Sequence, residues 1–409
     1  MIYKPYDDEA ARARQAVLLA ITLNSYVYSV FNDVFGEIWS FESAIGIASG
    51  ESLIANIGFR GDRELISLGS CANLGAKVIN GMDTISITEE IYLLLPKELR
   101  KFFEKATTVE EVVAYKATSL RWSNQPRLAE YFGVKFNTER LKKKTEEYRD
   151  SLSLAEMEIS EAEVLIDPNQ LSERNSKKIS AVALYADLDG FTRYVQLAEE
   201  NEAVISLVRI LHMIRSEFHA VVEQDYPGLV LQHQGDRIFA IVHMPSGDSF
   251  EKRCANGLNV AIGIQSSMEH VLNNYLGDRK EIHVAMGVDV GPALVTRLGK
   301  KGEREVICLG SKVTSAEQLQ LRSQGQEIRV SEKIYDTITS EILKKQFLED
   351  GQEAYVAKGL TFPKLDEMEA TEAAKMGLLG SASTDGGVRI EIIDRQRGET
   401  VRQRPWYSK

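Results

Sequence analysis

The sequence predicts an α+β fold in which one sheet domain occurs twice, first as a partial copy and then as a full one. Two observations carry this expectation. Gly46-Ile-Ala-Ser-Gly50 is echoed by Gly287-Val-Asp-Val-Gly291 at an offset of 241 residues (287 − 46), and Gly69 and Gly310 keep the same offset. Ile85-Ser-Ile-Thr-Glu-Glu-Ile-Tyr92 is echoed by Ile328-Arg-Val-Ser-Glu-Lys-Ile-Tyr335. Self-similarity at a fixed spacing marks a repeated structural unit. Helical periodicity from Asp8 through Phe35, and again from Phe250 through Leu276, runs each time into the strand that bears the Gly-x-x-x-Gly turn.

In chain order, residues 1–125 read as the later part of such a domain, because Met1 falls too late in the repeat for its opening strand. Residues 126–178 read as a helical connector. Within it, the charged stretch from Thr138 to Tyr148 is expected to be an exposed helix, and Asp167 to Lys178 a loop. Residues 179–365 form the full copy. Ile179 to Ala186 is a buried-strand pattern that ends on Asp187, and Gly190-Phe191-Thr192 then opens a helix. Gln232-His-Gln-Gly-Asp236 places a second carboxylate in a Gly-Asp turn. Residues 366–409 form a tail: a short helix from Met368 to Leu379, a Gly/Ser-rich linker, one strand near Arg389 to Asp394, and a basic tip.

The chain has 409 residues, 44% hydrophobic and 27% charged, with a net charge of −11. That balance suits a globular protein and argues against a general affinity for nucleic acid or anionic lipid. Three cysteines without metal-ligand spacing fit a reducing cytoplasm. The N-terminus lacks a signal peptide's apolar region, and no apolar run is read as a membrane span.

The paired acidic turns resemble the class III nucleotidyl cyclases. Asp187-Leu-Asp-Gly-Phe-Thr192 is similar to that family's first metal loop, Gly235-Asp-Arg-Ile-Phe-Ala240 to its second, and Gly287 to Gly291 to its strand turn. The resemblance implies ferredoxin-like sheets with helices. It also implies two divalent metal ions, Mn2+ or Mg2+, held by Asp187, Asp236 and the Leu188 carbonyl over a nucleoside triphosphate. Gly190, Phe191 and Thr192 would offer backbone N–H groups to phosphate at a helix start. Arg237 is a phosphate contact or a surface arginine, and Asp189 is expected to face solvent.

In this family the metal-bearing domain is completed by an Asn and an Arg, four apart on a helix of the other domain. The C-terminal copy has Thr314 and Gln318 at these places, whereas the N-terminal copy has Asn73 and Lys77. The resemblance therefore implies one composite site per chain, with Asn73 and Lys77 as the catalytic pair. Lysine lacks the planar fork of arginine. The base-pocket positions carry Gln232, with Ile307 in one copy and Ile66 in the other, and neither purine code is present. This departure is similar to the bacterial pyrimidine cyclases of Pycsar antiphage defence. It implies a CTP or UTP substrate, a cyclic product read by a separate effector protein, and a possible homodimer. An adenylyl or guanylyl cyclase with an atypical pocket, and a degenerate nucleotide-binding module, stay open as alternatives.

Overall fold

The computed structural model describes residues 8–36, 39–59, 62–106, 112–151, 158–172, 174–243, 249–276, 282–299 and 304–375, without the side chains of residues 56–66, 275 and 373–375. Two compact units divide the chain: Met1–Ile54 with Ser67–Ala155, and Ala55–Ile66 with Glu156–Lys409.

In chain order the first copy comprises α1 (Glu9–Tyr26), α2 (Asn32–Phe35), β1 (Ala44–Ile47), β2 (Leu53–Phe59), β3 (Asp62–Leu68), α3 (Ser70–Lys77), β4 (Thr84–Thr88), α4 (Glu89–Leu94), α5 (Lys97–Arg100), β5 (Glu104–Lys105) and β6 (Ala114–Thr118). Helices α6 (Pro126–Tyr131) and α7 (Thr138–Ser151) follow. Four strands form one sheet in the order β1-β4-β6-β5, with β1 parallel to β4, and β2 and β3 form a hairpin. The core lies under α1, where Ala13, Val17 and Ile21 pack with Ile85, Ile87, Leu99 and Trp122. Val17 and Ile21 are fully buried, each contributing about 1.5–3 kcal/mol.

The second unit continues with β7 (Glu158–Glu161), β8 (Asn175–Asp189), α8 (Phe191–Glu200), α9 (Val204–Ala220), β9 (Gly228–Gln234), β10 (Arg237–His243), α10 (Phe250–Ser267), α11 (Asn273–Leu276), β11 (His283–Leu298) and β12 (Glu305–Leu309). It ends with α12 (Ser311–Arg322), β13 (Glu327–Ser331), α13 (Glu332–Tyr335), α14 (Glu341–Lys344), β14 (Leu348–Glu349), β15 (Ala354–Lys358) and α15 (Phe362–Lys375). The sheet runs β14-β15-β13-β11-β8-β10-β9, with β12 on β11 and β7 on β8. The four-stranded order of the first copy thus recurs, extended by β8, β10 and β9.

The repeat holds at atomic detail. Helices α1 and α10 keep the offset of 241 at both ends (250 − 9, 267 − 26). Each begins on a polar cap, Asp8 accepting from the Ala10 amide and Ser249 from the Lys252 amide. Each passes into a π-helical turn, Val27–Phe31 and Met268–Leu272. Ser25 accepts from the Trp122 amide at 2.8 Å, and Ser266 accepts from the Phe362 amide at 2.9 Å. Tyr92 stacks on Tyr115 with centroids 3.8 Å apart, and Tyr335 on Tyr355 at 3.6 Å. The two first glycines also act alike. A Cβ on Gly46 would lie 1.7 Å from the Gly75 carbonyl oxygen, and one on Gly287 would lie 2.2 Å from that of Ala316. Only glycine lets α3 and α12 press this closely on their strands.

Four expectations change. The strand expected from Ile179 begins at Asn175, because β11 is long enough to pair with it as far back as Lys177 against Val295. Helix α7 is not a free connector: its Thr145 is buried and hydrogen-bonds Tyr26 at 2.9 Å, and Lys142 meets Asp33 at 2.6 Å. One apolar run does reach spanning length, since Glu9–Phe35 is 27 helical residues whose length and composition would suffice to cross a membrane. Its buried stripe is the core helix of the first copy. The final helix starts at Phe362 rather than Met368; the expected linker, strand and basic tip lie outside the described residues.

Candidate active site

Strand β8 delivers Asp187 to one end of the large sheet. Its inner neighbours Tyr185 and Ala186 pair with Phe239 and Ile238 of β10, and Asp187 itself lies opposite Ala285 of β11. The β9–β10 hairpin turns at Gly235 and Asp236, where Gln234 and Arg237 face each other. Gly235 has φ +67°, in the left-handed region that suits glycine. Upstream, the register slips between Phe239 and Ala240, leaving Leu231 as the extra residue of a bulge.

The two carboxylates feel each other. Burial first, and then the charge of Asp187, raise Asp236 to about 7. Burial also raises Asp187, with Arg237 opposing. Half-buried acids that resist ionising together form a hard-oxygen site whose repulsion a divalent cation would relieve. Leu188 has a buried side chain, so only its main-chain oxygen is available as a donor. Among the described residues no group of three or more His, Cys, Asp or Glu side chains could hold a metal. A site with two carboxylates therefore leaves positions for phosphate oxygens and water.

Gly190 adopts φ +76° and caps α8, and Phe191 is buried while Thr192 is half-exposed. Phe191 and Thr192 open α8, and the positive end of a helix favours anionic oxygens. Asp189 is exposed and accepts from the Gly325 amide at 2.8 Å.

Arg237 is not a loose surface arginine. It pairs with Glu317 at 2.8 Å, donates to Gln234 and lies over the Tyr185 ring, which in turn stacks on Phe239. Burial, and secondarily Glu317, hold the Tyr185 phenol up at about 12, so it stays neutral. The Gln232 amide donates to the carbonyl of Val306, the residue before Ile307, at 2.9 Å and is thereby committed to the main chain. Asn73 and Lys77 lie on α3 of the first copy, Asn73 half-buried and Lys77 exposed, in the places taken by Thr314 and Gln318 on α12. The Ile66 side chain lies outside the described residues.

Two basic groups near the Gly235–Asp236 turn escaped the sequence reading. Arg215 of α9 is buried and donates to the Gly235 carbonyl. His233 on β9 is pushed down to about 3, by burial and then by Arg215. Arg215 had a local signal, since it falls inside the apolar stripe of Leu207, Leu211, Ile214 and Phe218.

Residues 174–369 match the family model for the adenylate and guanylate cyclase catalytic domain. The chain carries a class III nucleotidyl cyclase domain. Among curated proteins, a uridylate cyclase of Pseudomonas aeruginosa is 28% identical over 397 residues, spanning 90% of this chain and 70% of that protein. A uridylate cyclase of a Rhizobium species is 26% identical over 333 residues, spanning 76% and 61% respectively. Among solved structures, a class III adenylyl cyclase-like ATP-binding protein from Pseudomonas aeruginosa matches with a TM-score of 0.69 and 26% identity, covering 90% of this chain and 76% of that one.

Proposed function

We propose that this chain converts a pyrimidine nucleoside triphosphate, UTP or CTP, to its 3′,5′-cyclic nucleotide and pyrophosphate. The observation that carries the reading is the Asp187–Asp236 pair at the mouth of a cyclase sheet. The curated relatives named uridylate cyclases make UTP the first substrate to test. The absence of a charged purine reader at Gln232, and the isoleucines at positions 66 and 307, support the same choice.

In the reaction the ribose 3′-oxygen bonds to the α-phosphorus, its proton departs, and the bond to the β-phosphate bridging oxygen breaks. Asp187, Asp236 and the Leu188 carbonyl would hold two Mn2+ or Mg2+ ions, which supply Lewis-acid stabilisation of the developing charge. The α8 N-terminus at Gly190, Phe191 and Thr192 offers N–H groups to phosphate oxygens. Asn73 orients the ribose, and Lys77 places a cation toward the α-phosphate, within one chain or between two. Arg237, tied to Glu317, adds fixed positive charge beside the carboxylates. The product serves as a cytoplasmic second messenger in antiviral defence, read by a separate effector that need not touch this chain.

Incubation with ATP, GTP, CTP and UTP plus Mn2+, with products identified by mass spectrometry, tests the proposal. Cyclic UMP or cyclic CMP is the expected main product, and a cyclic purine would overturn the base assignment. Triphosphate binding without product would favour a second reading, a nucleotide-binding module. That reading draws on Lys77 in place of a forked arginine.

A further inference from the structure

Helix α9 drives a cation into the base of the site. Arg215 is only 3% exposed, and a guanidinium so far from water is costly unless its donors and charge are met. Its Nη2 donates to the carbonyl oxygen of Gly235. That oxygen and the amide nitrogen of Asp236 belong to one planar peptide unit. Fixing the Gly235 carbonyl therefore fixes the orientation of the peptide that leads into Asp236 and narrows where the Asp236 carboxylate can reach. The turn needs such an anchor. Gly235 has no Cβ, and nothing lies within 4 Å of where one would be, so packing alone does not hold the peptide plane.

We infer that Arg215 is a positioning residue for Asp236, aiming the second metal-binding carboxylate through the Gly235–Asp236 peptide. The inference rests on the metal-dependent reading given above. Arg215 touches neither substrate nor metal in this role; it acts through the turn. Residues that orient first ligands in this way typically change metal affinity by about 10- to 100-fold when lost.

The test is Mn2+ binding to the full chain without nucleotide, read from the electron paramagnetic resonance signal of free Mn2+, alongside thermal melts. Arg215→Gln should weaken Mn2+ binding by about tenfold or more while melting stays cooperative. Arg215→Lys, which can still donate to a carbonyl, should recover part of the affinity. Arg215→Met replaces the buried charge with a packed apolar stem and supplies the answer if the Gln variant does not fold. A folded Gln or Met variant that binds Mn2+ like the wild type overturns the inference while leaving the functional reading intact. A wild-type chain that binds no Mn2+ overturns both.

Discussion

The two copies agree where the chain must fold and part where it must do chemistry. Capped core helix, widened turn, serine latch, tyrosine pair and glycine crossing recur 240 to 243 residues apart (355 − 115, 335 − 92). The second copy adds β8, β10 and β9, and with them Asp187 and Asp236. At the helix behind the glycine crossing the residues also diverge, Asn73 and Lys77 against Thr314 and Gln318. Shared packing with unshared polar residues is the pattern that the proposed division of chemical tasks requires.

Four experiments would break or sharpen that contrast. The largest effect is expected at the added strands. Asp187→Ala should lower cyclic-nucleotide formation by about 10³-fold, the scale of losing a preorganised charge-stabilising group, with the far-UV circular dichroism unchanged. Next, Asn73→Ala should slow turnover by about 10²-fold, whereas Thr314→Ala should leave it near wild type. Equal effects from the two would remove the proposed division of tasks.

A third comparison concerns what is shared. Gly46→Ala and Gly287→Ala should each destabilise their copy by about 1–3 kcal/mol through overpacking, measured as shifts in denaturant midpoint. If only one is affected, the close helix crossing is not equivalent in the two copies. The smallest effect is pH dependence. Asp236 at about 7 in the fold stands above its ordinary value of 3.8, so the metal-free fold retains a proton that the unfolded chain releases. That stabilisation is complete below about pH 4 and is lost as pH rises through about 7. Melting temperature in EDTA should therefore fall across this window more steeply in the wild type than in Asp236→Asn. Mn2+ binding should weaken as pH drops below about 7, because the proton competes for the same oxygens.

Much of this was legible in the sequence because it is written at short range. Asp187 closes an apolar run two residues before the end of β8 and Asp236 follows a glycine, so their types and spacing declare a paired acidic edge. The repeat was visible because glycines that admit a close helix cannot be exchanged freely. What escaped depends on distance. Glu317 holds Arg237 from 80 residues away (317 − 237), and Gln232 spends its amide on Val306, with no local pattern to announce either. The stretch from Glu9 to Phe35 was passed over because its interspersed arginines and asparagine break the apolar run, although the helix itself is continuous. Arg215 could have been flagged as a charge within an apolar stripe, but its partner is fixed only by the tertiary fold.

The π-helical turns at Val27–Phe31 and Met268–Leu272 carry a historical consequence. A widened turn holds one residue more than an α-helix needs and is uncommon, so two independent insertions at matching places are a poor explanation. Inheritance from one module that already held the widened turn accounts for both, although Val221–Asp225 after α9 forms a third such turn.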